Sequence, residues 1–129
     1  MTTDLRRIRG ARGEDLAARH LSAHGYEVLE RNFRTRHGEL DLIAADDRCI
    51  VFCEVKTRAS AGRAGPARGL DAIGAAKRRK LRSMARQWLY ARPAGSARPS
   101  RPQLRFDAIE VTLTAGGALV ALEHVTDAF

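Results

Sequence analysis

Residues 39 to 57 read Glu-Leu-Asp-Leu-Ile-Ala-Ala, then Asp46-Asp47-Arg48, then Cys-Ile-Val-Phe-Cys-Glu-Val-Lys-Thr. Two apolar runs of strand length around a short polar tip predict a β-hairpin, Glu39 to Ala45 with Cys49 to Thr57. Side chains alternate along a strand, which puts Glu39, Asp41 and Ile43 on one face and Leu40, Leu42 and Ala44 on the other. In the second strand Ile50, Phe52, Glu54 and Lys56 share a face, opposite Cys49, Val51, Cys53 and Val55. If the hairpin closes around Asp46 and Asp47, Glu39 faces Glu54 and Asp41 lies diagonally from it, at roughly 7 to 8 Å between backbones.

The rest of the chain supplies what a sheet needs to bury its faces. From about Gly10 to His24 the residues Ala11, Ala17, Ala18 and Leu21 recur at helical spacing, and Gly25 follows as a left-handed stop. Tyr26 to Phe33 is strand-like, joined to the hairpin through Arg34 to Gly38. Gly62, Gly65, Pro66 and Gly69 then interrupt the chain. Beyond them Ile73, Leu81, Met84, Ala85 and Trp88 mark the inner face of a long basic helix. Leu104 to Leu113 and Ala118 to Val125 flank a Thr-Ala-Gly-Gly turn and predict a second hairpin. The order helix, three strands, helix, two strands predicts an α/β (α+β) fold with a mixed five-stranded sheet flanked by helices. A chain of 129 residues fits one domain, 1 to 129. Residues 1–9 and the Pro-, Ser- and Gly-rich segment 93–102 are expected to be flexible.

Charge narrows the partners. The formal charge is +8, and residues 56 to 105 hold fourteen of the basic residues against a single acid, Asp71. A polyanion, nucleic acid above all, suits such a flank. Its candidate contacts are Lys77, Arg78, Arg82 and Arg86 on the second helix, and Arg58 at the end of the third strand. The start, MTTDLRRIRG, has no apolar core of signal-peptide length, and no run is long enough to cross a membrane, so a soluble cytoplasmic protein with no membrane partner is expected. Cys49 and Cys53 on one strand lie roughly 13 Å apart and cannot bridge within it. His20 and His24 lack the second ligand pair that a structural zinc site needs.

Carboxylates crowded on one sheet face repel one another unless protonated or neutralised by cations. Mg²⁺ or Mn²⁺ takes one or two protein carboxylates plus water and phosphate oxygens, which suits Asp41 and Glu54 as ligands. Lys56 projects from the same face as Glu54 and can hold the attacking water or offset phosphate charge. The chain uses twenty Arg and three Lys, so a Lys here runs against its own composition. Only Lys, of the two, can be tuned to lose its proton. Glu14 falls in the middle of the inward stripe of the first helix, where it needs a partner: a helix terminus, an Arg or a metal.

The segments GARGEDLAARHLSAHGYEVLERNFRTRHGELDLIAADD, VFCEVKTR, AAKRRKL and RFDAIEV resemble the YraN-like family of bacterial proteins, from about Gly10 to the final Ala-Phe. GELDLIA and FCEVKTR are the most specific pieces, with Cys53 where that family usually has Val. The family is similar in motif to PD-(D/E)xK restriction endonucleases and archaeal Holliday-junction resolvases. The resemblance implies a restriction-endonuclease-like fold, Asp41, Glu54 and Lys56 at the metal and lysine positions, and Glu14 as a helix-borne acid. Arg105 and Asp107 match the family's RFD segment, as a buried ion pair or as substrate contacts.

Two function classes follow. The first is a Mg²⁺- or Mn²⁺-dependent endonuclease, a hydrolase cutting phosphodiester bonds of DNA, branched DNA included, with Asp41, Glu54, Lys56 and Glu14 as its centre. The second is a non-catalytic nucleic-acid-binding module on the same scaffold, for which basicity alone does not separate DNA from RNA. Aromatic content of 5% argues against recognition of single strands by base stacking. The resemblance to restriction endonucleases and junction resolvases implies DNA rather than RNA. A homodimer follows by analogy, since paired cuts need two centres.

Overall fold

In the computed structural model, residues 4–60, 74–92 and 102–129 are described. The elements are α1 (Leu5–Ala23), β1 (Glu27–Thr35), β2 (Gly38–Ala45), β3 (Cys49–Ala59), α2 (Ala75–Ala91), β4 (Gln103–Leu113) and β5 (Leu119–Val125). The five strands form one sheet in the order β1-β2-β3-β4-β5. β3 and β4 run parallel, and every other neighbouring pair is antiparallel. This is the predicted mixed α+β sheet. Its parallel pair is joined by the segment containing α2, because parallel neighbours need a crossover.

The first helix starts earlier than its periodicity suggested. Asp4 caps it, its Oδ1 accepting the N–H groups of Arg6 and Arg7 at 3.1 and 3.4 Å, so Leu5 to Arg9 are helical. At the other end Gly25, with φ of +89°, takes the left-handed turn that stops the helix. Of the segments expected to be flexible, 1–3 and 93–101 lie outside the described residues, as does Ile73.

Each helix covers one side of the sheet. Ala17 and Leu21 of α1 pack with Leu42, Ala44, Val51, Cys53, Ile109 and Val111. Leu81, Met84, Ala85 and Trp88 of α2 pack with Ile43, Ile50, Phe52, Phe106 and Ala108. β3 is therefore apolar on both faces from Cys49 to Cys53, as a central strand between two layers must be. Phe52 stacks on Phe106 and meets Trp88 edge-on, with ring centres 5.3 and 5.7 Å apart. Each such aromatic pair adds about 1 kcal/mol beyond area burial.

The β2–β3 hairpin closes one residue later than expected. Oδ1 of Asp46 accepts the N–H groups of Arg48 and Cys49, and the Asp46 N–H bonds to the Cys49 carbonyl. The tip is thus Asp47-Arg48, and the ladder pairs Ala45 with Ile50 and Leu42 with Cys53. Continued one step, that register brings Asp41, not Glu39, level with Glu54.

Candidate metal centre

The close approach of α1 to β3 begins with a glycine. A Cβ on Gly13 would stand 1.9 Å from Oγ1 of Thr57, so only glycine lets the helix touch the strand there. The next residue is Glu14, which the contact carries to the place where β2 and β3 part. One oxygen from each of Glu14, Glu39 and Asp41 lies within 4.8 Å of the other two. Helix α1 supplies one of these acids and β2 the other two.

Asp41 is the most perturbed of them. Its Oδ2 accepts the Val55 N–H at 2.8 Å, taking over from the β2–β3 ladder, whose last pair is Leu42 with Cys53. Burial pushes the Asp41 carboxyl up to about 7; the charges of Glu54, Glu14 and Glu39 push the same way, and the Val55 N–H opposes them. Glu14 is also raised, first by burial and then by Glu39 and Asp15, while an Asn32 hydrogen bond and Arg31 pull it down. A cation among these oxygens would favour the charged forms that burial and the neighbouring acids disfavour at Asp41 and Glu14.

Asn32 stands opposite Asp41, between the pairs Arg31 with Leu42 and Phe33 with Leu40. Its φ of +54° is left-handed, a conformation that Asn tolerates better than most residues. The strand turns locally there, and the Asn32 amide binds Glu14.

The expected sharing of faces is corrected at this point. Leu40 packs in the same cluster as Ile43, on the α2 side, while Leu42 and Ala44 pack against α1 and the Asp41 carboxylate reaches Glu14 of α1. Alternation therefore breaks between Asp41 and Leu42. The physical reason is the end of the β2–β3 ladder, where the Asp41 side chain replaces a backbone partner.

Glu54 is in the neighbourhood but outside the trio. Its Oε1 is ion-paired with Lys77 Nζ of α2, and its charge is felt at Asp41. Glu54 and Glu39 both line a cavity of about 440 Å³ with His37, Lys77, Lys80 and Met84, so Glu39 connects the trio to Glu54. Lys56 is exposed, two residues along β3, and forms no ion pair among the described residues. Glu14, Glu39 and Asp41 thus form the tight group, while Glu54, the other acid of the expected pair, lies near enough for its charge to raise Asp41 and is held by Lys77. Alternation had marked Glu39 as a neighbour of Asp41, but the left-handed turn at Asn32 carried no signal beyond its residue type.

The expected basic contacts divide. Arg78 and Arg86 are exposed on α2. Arg82 is committed elsewhere, donating to the Phe129 carbonyl at 3.2 Å and lying over the Phe106 ring. Lys77 holds Glu54, and Arg58 lies 3.8 Å from Glu110.

Arg105 and Asp107 form a buried ion pair. Both Asp107 oxygens accept from Arg105 at 2.8 Å; one also bonds His124 and the other the Asp127 N–H. His124 in turn meets His20 at 3.0 Å, and Arg105 donates to the Tyr26 hydroxyl. Asp107 is fully buried, and these bonds outweigh its burial to hold its carboxyl down at about 2. The network ties α1, β4 and β5 together, so the ion-pair reading of the two residues accounts for their geometry.

Residues 13–111 match the Uncharacterised protein family UPF0102. The chain belongs to this family. Its relatives include a UPF0102 protein of Rhodococcus jostii, 43% identical over 93% of this chain and 94% of that protein. One of Frankia casuarinae is 44% identical over the same shares, and one of Geobacter metallireducens is 41% identical over 93% and 90%. The membership read from GELDLIA and FCEVKTR is therefore shown. The match contains Glu14, Asn32, Glu39, Asp41, Glu54 and Lys56, so the whole candidate centre lies within the family's own span. Among the described residues no helix is long and apolar enough to cross a membrane.

Proposed function

We propose that the chain is a divalent-metal-dependent nuclease acting on DNA, branched DNA among its candidate substrates. The observation that carries this reading is the trio of Glu14, Glu39 and Asp41, with Asp41 half-buried and its carboxyl raised to about 7, first by burial and then by the neighbouring acids. Hard carboxylate oxygens gathered in this way, with room left for water and phosphate, fit Mg²⁺ or Mn²⁺. Glu14, Glu39 and Asp41 would hold the ion, with Glu54 joining when Lys77 releases it. The ion would neutralise phosphate charge and acidify a bound water.

The chain's own residues do the rest. Val55 fixes Asp41 through its N–H, Asn32 fixes Glu14, and Gly13 sets the distance of α1 from β3. Lys56, exposed beside Glu54, is free to reach a phosphate oxygen or the attacking water. Arg78 and Arg86 extend the positive surface along which a nucleic-acid backbone can run.

One observation favours a second reading, a binding module without catalysis. Lys77 already neutralises Glu54, which then needs no metal. A single assay separates the two. Purified protein is incubated with labelled linear, flapped and four-way-junction DNA and with RNA, in Mg²⁺ or Mn²⁺, beside Asp41→Asn, Glu54→Gln and Lys56→Ala. The nuclease reading requires cutting by wild type that the first two substitutions abolish while binding persists. Binding by wild type without cutting on any substrate would establish the binding module, and activity equal in all variants would mark a contaminant. A cytoplasmic location and a homodimer accord with this reading; cell fractionation and solution scattering test them.

A further inference from the structure

Glu110 of β4 is 3% exposed, yet its carboxylate is poorly matched. Oε1 lies 3.8 Å from Arg58, beyond hydrogen-bond range, and Oε2 is buried with no hydrogen-bond partner among the described residues. An ionised carboxylate removed from water in this state is costly unless a cation comes to it.

The sheet register identifies the cation. In the parallel β3–β4 ladder Phe52 is level with Phe106, Glu54 with Ala108, and Lys56 with Glu110. Paired residues on neighbouring strands leave the sheet on the same side, and adjacent strands are roughly 5 Å apart. Phe52, Phe106 and Ala108 all pack in the α2-side cluster, so Lys56 and Glu110 emerge side by side on that face. The antiparallel ladder adds Glu123 of β5 on the other flank of Glu110. Like charges directly opposite are unfavourable, which sharpens the need for a cation on the β3 side.

We propose that Glu110 is the positioning residue for Lys56: its unused Oε2 receives the Lys56 ammonium and holds it beside Glu54 at the entrance to the acidic trio. Arg58 keeps Oε1, so one carboxylate orders two cations of β3. The role of Lys56 in turnover rests on the nuclease reading, while the pairing itself does not. A long, flexible side chain left in solvent samples many positions, and pinning its end raises the fraction of time it spends in the productive one.

The test is a double-substitution cycle on wild type, Lys56→Met, Glu110→Gln and the double variant, read twice. The first reading is thermal unfolding with a chelator present. Lys56→Met should lower the midpoint by roughly 3 to 6 °C when Glu110 is present and leave it unchanged when position 110 is Gln. Equal losses in both backgrounds overturn the pairing, whatever the protein's activity. The second reading is metal-dependent cleavage. Glu110→Gln should lower kcat roughly tenfold with KM and the metal half-saturation unchanged, and should add nothing in the Lys56→Met background. An unmoved kcat overturns the positioning role and leaves Glu110 a structural acid. A wild type that cuts no substrate refutes the nuclease reading and the positioning role with it, and the thermal cycle still decides the pair.

Discussion

Asp41→Asn should make the metal-free protein more stable at pH 8. The Asp41 carboxyl is raised from 3.8 to about 7 in the folded chain. A carboxyl raised on folding binds more protons in the folded than in the unfolded state between those values. Stability from this group is therefore intact below about 3.8 and lost as pH rises toward 7. At about 1.4 kcal/mol per unit the full loss is at most about 4 kcal/mol, and roughly half of that once partial exposure screens the neighbours. Asn removes the charge while keeping an oxygen for the Val55 N–H. Urea unfolding in a chelator should show Asp41→Asn stabler than wild type by about 2 kcal/mol at pH 8 and by much less at pH 4. Mn²⁺ at a hundred times its dissociation constant should restore wild type at pH 8 by about 2.7 kcal/mol and do little for the variant. A variant no stabler than wild type at pH 8, or equally stabler at pH 4 and pH 8, would refute the reasoning.

Gly13→Ala drives a methyl into Thr57 and should cost about 1 to 3 kcal/mol, read as a lowered thermal midpoint; an unchanged midpoint would mean that α1 yields freely. Asp107, held down at about 2, contributes stability that is present above about 3.8 and lost as pH falls through about 2. Asp107→Asn should cost about 3 to 5 kcal/mol at pH 7 by stranding Arg105, with a smaller penalty near pH 2. Replacing Arg78 and Arg86 by Gln should weaken nucleic-acid binding and reduce its salt slope by about one unit per lost phosphate contact. An unchanged slope would show that face to be merely solvated. Arg82→Gln should in addition lower the thermal midpoint, because it loses Phe129.

The order of elements, the mixed sheet and most of the two cores are legible in the chain itself, because apolar period and turn chemistry are local properties. Lys56 stood out by residue type, and Glu14 by its place on the α1 stripe, without any knowledge of the sheet. What periodicity does not report is where a ladder ends. Asp46 uses its side chain to close the hairpin one residue late, and Asp41 uses its own where the β2–β3 ladder ends, so alternation fails at the residue that matters most. The left-handed turn at Asn32 has the same character, since Asn permits that conformation without requiring it. Glu54 was expected to meet Asp41, and it meets Lys77 of α2, a residue 23 positions away in sequence. Whether a carboxylate serves a metal, a lysine or a backbone N–H depends on which partner the packed layers bring within about 3 Å. That choice belongs to the tertiary structure, because the competing partners lie on different elements and no local pattern ranks them.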